Sequence, residues 1–174
     1  MRTTLNLPDA RSVADEVARA HGGCLDLRDG PVAATALVVP TGGPAIVVDF
    51  GTSTNFDVVS ARGEFIGGAL APGIEISVDA LAARAARLFK VELKRPRSVI
   101  GKTTNEALQS GLLYGFAGQV DGMVKRISAE LGETPVVIAT GGLSHLMAGV
   151  CETLDHHEPD LTLVGLRLVF EKNT

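Results

Sequence analysis

Between residues 45 and 70 the chain carries three short apolar runs, AIVVDF, NFDVVS and EFIGGAL, parted by GTST and then by ARG. Runs this short, rich in Val, Ile and Phe, read as strands, and connections of so few residues join only antiparallel neighbours. The pattern therefore predicts a three-stranded antiparallel meander over residues 45–50, 55–60 and 64–70. The tripeptide APG at 71–73 ends it, because proline offers no N–H to a ladder and an internal glycine weakens one.

Beyond the meander the period changes. Residues 74–93, IEISVDALAARAARLFKVEL, place Ile76, Ala80, Leu81, Ala85 and Leu88 at helical spacing. KRPRSVIG is a loop, and a long helix is predicted over 104–131 with Asn105 and Glu106 in its first turn. That helix contains Gly111, Gly115, Gly118 and Gly122, each of which weakens a helix by roughly 1 kcal/mol relative to alanine. Their near-helical spacing predicts a face that another helix approaches closely. PVVIAT is a further strand, Gly141-Gly142 a tight turn, LSHLMAGV a short helix, and DLTLVGLRLVFEKN a closing helix with Leu161, Val164 and Leu168 on one side. Strands and helices in this order predict an α/β domain with a mixed sheet over residues 44–174. Residues 1–43 read differently, with one short helix near 12–20 capped by Ser12 (Asp15 at the third position) and one strand near 36–39. That irregular N-terminal segment is too short to bury a core of its own.

Composition narrows the function classes. Hydrophobic residues make up 45% of the 174 and charged residues of both signs 21%, enough for a substantial core. The 16 Lys and Arg are scattered and the net charge is -4, so no clustered basic face for nucleic acid is expected. No apolar run reaches the roughly 18–20 residues that span a bilayer, and the N-terminus lacks the pattern of a secretory signal. Cys24 and Cys151 lack metal-site spacing and are expected as reduced thiols of a cytoplasmic protein. His156 and His157 are adjacent, so their side chains diverge, and Asp155 and Glu158 beside them read as a solvated loop. Together with His145 they are not expected to bind a metal.

The residues that point to chemistry lie at two turns and one helix start. Asp49 closes a strand that is otherwise apolar on both faces, where an unpaired carboxylate is costly. Gly51 lets a ligand approach the backbone, and the hydroxyls of Thr52 and Ser53 are able to donate to phosphate oxygens. The competing reading is a hairpin whose Asp and Thr satisfy their own turn amides. Asp57, the nearest other carboxylate, is read as ordering that turn. Thr140, Gly141 and Gly142 repeat the theme, since a strand running through a glycine turn into a helix presents amides to an anion. Lys102, Thr103 and Thr104 stand at the start of the long helix, as an anion or substrate site or simply as a cap. The first glycine of a P-loop is absent there.

The order hairpin, long helix, strand-Gly-Gly resembles the ATP-binding half of the actin-like, sugar-kinase superfamily. More specifically, DFGTSTNFDVVSARGEFIGGALAPGIEIS, RPRSVIGKTTNEALQSGLLYGFAGQVDGMV, VIATGG and LTLVGLRLVFEKN resemble the C-terminal half of type III pantothenate kinases of the actinobacterial type, from about Gly43 to Asn173. The resemblance implies a ribonuclease-H-like domain that phosphorylates pantothenate with ATP and magnesium, at the entry to coenzyme A synthesis. It implies a monovalent cation, potassium or ammonium, at Asp49. ATP would lie along Gly51, Thr52, Gly141 and Gly142, and pantothenate would contact Thr104. It also implies a homodimer built partly on the long helix. Residues 1–43 contain neither the family's Asp-x-Gly-Asn-Thr phosphate loop nor its Gly-x-Asp-Arg, only Arg28-Asp29 in the wrong order. The N-terminal companion domain is thus expected to be largely missing, and no residue is nominated as the catalytic base. Thr103 stands where the family usually has Asn, and Asn55 where it usually has Thr. The alternative is a non-catalytic half-domain that binds ligand or a partner chain. A sugar or acetate kinase fits GKTT and the run from 43 to 173 less well.

Overall fold

The computed structural model describes residues 43–62, 64–84 and 91–161. The expected helix near 12–20, the strand near 36–39, Cys24 and the body of the closing helix lie outside these residues. The meander forms as the sequence predicts: β1 spans Ala45–Phe50, β2 Ser53–Val59 and β3 Phe65–Pro72. β2 begins two residues earlier than expected and β3 runs two residues further, so Pro72 still belongs to the sheet. Being the last residue of an edge strand, it withholds no N–H that a neighbour needs. Helix α1 (Ile74–Arg84), helix α2 (Thr104–Leu131), β4 (Val136–Thr140), the short α3 (Ser144–Met147) and β5 (His156–His157) complete the order. β5 lies where the sequence predicts a solvated loop.

The five strands are ordered β3-β2-β1-β4-β5. β1 pairs antiparallel with β2 and parallel with β4, and β5 continues parallel beyond β4. A mixed sheet in this order, with β2 reversed against its neighbours, has the ribonuclease-H-like arrangement. β1 is the central strand, and Ala45, Ile46, Val47 and Val48 are fully buried. One face of the sheet, through Ile46, Val48, Phe50, Phe56, Val137 and Ala139, packs on Ile74 and Val78 of α1 and on Leu112, Leu113, Ala117, Val120 and Val124 of α2. The opposite face buries Ala45, Val47 and Ile138 under Leu161.

Helix α2 starts with Thr103 as N-cap, its hydroxyl accepting from the Glu106 N–H at 3.2 Å, and ends at Gly132 in the left-handed region. A side chain at Gly101 would collide with the backbone of Ala107 at 2.3 Å, so the 97–101 loop folds back onto that first turn. Asp121 is a polar pin in the same helix. Its buried carboxylate accepts from the Glu152 N–H at 3.0 Å and from the Thr153 N–H and hydroxyl at 3.0 and 2.7 Å. Those bonds seat the segment after α3 and bring the chain back to β5. Burial and the nearby Asp121 push the Cys151 thiol up to about 12, out of the range where it ionises at neutral pH.

The phase of α1 corrects the expected stripe. Ile74 and Val78 face the core, whereas Ile76 and Leu81 are exposed by 47% and 39%. The helix begins directly after Gly73, whose N–H donates to the Thr52 carbonyl at 3.1 Å. That anchor turns Ile74 under the sheet. The apolar residues of α1 lie on more than one side, so periodicity alone does not choose among them. The glycines of α2 do not serve packing between described elements. An ideal Cβ at Gly111, Gly115 or Gly118 would meet nothing within 4 Å.

Candidate functional site

Successive side chains of a strand alternate faces, so Asp49 shares the face of Val47 and Ala45. Register then decides its neighbours. Asp49 stands opposite Asn55 of β2 and opposite Thr140 of β4, while Asp57 stands opposite Val47. Asn55, Asp57 and Thr140 therefore lie on the same face as Asp49. The site occupies the carboxyl ends of the parallel neighbours β1 and β4, where ligands collect in α/β sheets.

Glycines close the site from above. A Cβ at Gly51 would lie 3.7 Å from Asp49 Oδ1, and one at Gly141 would lie 2.3 Å from it. Gly141 also has φ +90°, where side chains are strained. At the back, a Cβ at Gly73 would meet the Thr52 carbonyl oxygen at 2.2 Å. The two glycine turns singled out from the sequence thus meet at the carboxylate of Asp49. Thr52 and Gly142, one residue further along each turn, are exposed. The Gly51 N–H is already engaged, donating to the Ser53 carbonyl at 3.0 Å.

The electrostatics of this face are unbalanced. Burial holds the Asp49 carboxyl above its ordinary range. Asp57 is raised too, first by burial and then by the charge of Asp49, as the second of two like groups to ionise. Among the described residues no Lys, Arg or His forms an ion pair with either. Two buried oxygens beside Asp49, Asn55 Oδ1 and Thr140 Oγ1, have no hydrogen-bond partner there, and Thr54 Oγ1 on the other face is a third. Leaving such an atom unpaired costs about 1–3 kcal/mol. A carboxylate with two idle oxygens at its flanks and no cationic side chain fits a hard, oxygen-ligated cation. It does not fit a thiophilic metal, and no group of three His, Cys, Asp or Glu suited to a metal occurs among the described residues.

Side chains from α3 and β5 fasten the second turn. The Ser144 hydroxyl donates to the Gly141 carbonyl at 2.6 Å. Its single proton being used, it accepts from His157 Nε2 at 2.8 Å, which requires the Nε2–H form of the ring. His145 Nδ1 donates to the Gly142 carbonyl at 3.0 Å. Both carbonyls of the Gly141-Gly142 turn are held in this way.

Sequence reasoning located Asp49, Gly51, Thr52, Gly141 and Gly142, and the structure brings these together. Thr104 is exposed in the first turn of α2, with the capping role filled by Thr103. Asp57 does not order the hairpin turn as expected, because it sits further into β2 against β1. Asn55, Ser144 and His157 carry no role in the sequence reading, and Thr140 is read there only as part of the second glycine turn. The alternation Asn55-Asp57 was visible as a polar face of β2, but the partner from β4 was not.

A ribonuclease-H-like α/β domain whose two glycine turns converge on one carboxylate is the class that fold and site define. The family model described as type III pantothenate kinase matches residues 28–126, more than half of the 174. The type III pantothenate kinase of Frankia alni is 76% identical over 132 residues, covering 76% of this chain and 53% of that protein. That of Streptomyces coelicolor is 62% identical over 148 residues, covering 83% and 56%. A solved Baf family protein from Campylobacter jejuni shares the fold at TM-score 0.54 and 20% identity, covering 80% of this chain and 64% of that one. This chain belongs to the type III pantothenate kinase family. It spans about half the length of the curated relatives it matches.

Proposed function

We propose that this chain serves the ATP-dependent phosphorylation of pantothenate to 4'-phosphopantothenate, the first step of coenzyme A synthesis, and carries the half of the site that holds the cation and the nucleotide phosphates. The observation that carries this reading is the meeting of Asp49 with Gly51 and Gly141 at the ends of two parallel strands. Asp49 would hold potassium or ammonium, with Asn55 Oδ1 and Thr140 Oγ1 at its flanks. Such a cation balances charge where phosphate oxygens gather, and magnesium arriving with ATP supplies the rest. Thr52 would donate to the phosphates from the first turn, and the second turn, with both carbonyls tied back, would present Gly142 to the nucleotide. Thr104, free of capping duty, would meet pantothenate at the start of α2. The unfilled glycine face of α2 supports a homodimer through that helix. No helix among the described residues is long and apolar enough to cross a membrane, in keeping with a cytoplasmic metabolic enzyme. Residues 1–43 with 44–174 as the ribonuclease-H-like domain remains the proposed division.

Phosphoryl transfer by the 174-residue chain alone is expected to be weak. A positioned general base contributes 10²–10⁴-fold, and these residues contain no Gly-x-Asp-Arg to supply the family's base. A coupled ADP-release assay with pantothenate, MgATP and potassium tests this. Turnover in the usual kinase range of 1–100 s⁻¹ would mean that the base lies elsewhere in this chain. MgATP binding without turnover would favour the half-domain that binds ligand or a partner, and absence of binding would overturn the reading.

A further inference from the structure

We infer that Asp57, acting across the β1–β2 pair with Asn55, is a second carboxylate of the cation site that Thr140 flanks from β4, and a determinant of its affinity for a monovalent cation. The inference rests on the proposed function only in taking a cation to sit at Asp49.

Three observations converge on it. Asp57 is the diagonal neighbour of Asp49 on one face, since Asp49 faces Asn55 and Asp57 faces Val47. Diagonal neighbours in an antiparallel pair lie roughly 7–8 Å apart at the backbone, within reach of one ion held between their side chains. Thr140 is 1% exposed, shares that face as the register partner of Asp49, and its hydroxyl oxygen has no partner among the described residues. Asn55 Oδ1, directly opposite Asp49 and next to Asp57 on the same face of β2, is equally idle. Two acids on one half-buried face with no ion pair to a cationic side chain among the described residues are better explained by an ion than by packing. Val47, opposite Asp57, is fully buried, and its partner on the β4 side, Ile138, is apolar. Gly68 of β3 stands opposite Asp57 on its other side, so no β3 side chain stands directly across from it there. The ligand is therefore a single oxygen-ligated cation, and Asp57 supplies charge while Asn55 and Thr140 supply neutral oxygens.

The test is the potassium-dependent rise in melting temperature of the 174-residue chain at constant ionic strength, with choline as the replacement cation, with and without MgADP. Asp57→Asn is expected to melt no lower than the wild type without potassium, because it removes a like-charge repulsion. It should need about tenfold more potassium or higher for half of the shift, the effect expected of one nearby opposite charge. Asp57→Ser, which also removes the charge, should weaken potassium to a similar degree and decides the question if Asp57→Asn does not fold. Asp49→Asn should abolish the shift. An unchanged potassium midpoint in Asp57→Asn or Asp57→Ser, with the shift lost in Asp49→Asn, would overturn this inference and leave the Asp49 site standing. No potassium shift in the wild type, with or without MgADP, would overturn both.

Discussion

Gly141 and Asp49 are so close that a methyl group at residue 141 would stand 2.3 Å from the Asp49 carboxylate oxygen. Strands separated by the whole of α2 are joined at this point, and no side chain larger than hydrogen fits between them. Gly141→Ala should therefore lose stability by about 1–3 kcal/mol, because strain at φ +90° adds to the clash. Gly142→Ala, with nothing within 4 Å of its Cβ and no positive φ, should change stability by less than about 0.5 kcal/mol. Urea denaturation of the two variants side by side checks the contrast. Equal losses would mean that the turn, not the carboxylate, demands glycine.

Ser144 and His157 act on the same turn from behind. Ser144→Ala removes the 2.6 Å bond to the Gly141 carbonyl, though the Ser144 N–H still donates to that carbonyl at 3.1 Å. The expected loss is about 0.5–1.5 kcal/mol. Nucleotide affinity should fall in both Ser144→Ala and His157→Ala if the turn receives ATP. Isothermal titration with MgADP measures it, and undiminished affinity in both would remove the turn from the nucleotide site.

Stability should depend on pH through Asp49 and Asp57. Both carboxyls are raised in the folded chain, so from the ordinary aspartate value near 4 up to the raised values the folded state binds more protons than the unfolded. Their contribution is then greatest at low pH and declines as pH rises through that window. Asp57→Asn should flatten this part of the profile, and saturating potassium should flatten it in the wild type by favouring the ionised pair. Denaturant midpoints measured with and without potassium across that window show the effect. A wild-type contribution from this pair that grows with pH would contradict the geometry.

The exposed glycine face of α2 should be where two copies meet. Gly115→Leu places a side chain where an ideal Cβ meets nothing within 4 Å, and it removes a poor helix former. The monomer fold should be unharmed or slightly stabilised, whereas close apposition of a second helix should be lost. Sedimentation velocity on the wild type and Gly115→Leu checks both parts. A variant that remains dimeric would move the interface elsewhere.

Much of this domain was legible in the chain itself. The bounds of β1 and α2 come from local causes: an unbroken apolar run ending at Asp49, a Thr103 cap with Glu106 three residues on, and Gly132 at the far end. Alternation and short turns were enough for the meander, because pairing between strands so near in sequence leaves little choice. The glycine turns were visible too, since only glycine allows the backbone to pass where Gly141 passes. Tertiary structure decided what these pieces have in common. That Thr140 stands beside Asp49 depends on a parallel pairing across the 28-residue helix α2, and no local pattern encodes such a register. The side chains of α1 that turn inward are likewise chosen by the anchor at Gly73, not by periodicity. Ser144 and His157 find each other only because Asp121 folds the intervening segment back onto α2. A side chain's chemistry is written at its own position, but the charge and the idle oxygens around it come from strands that meet only when the sheet has closed.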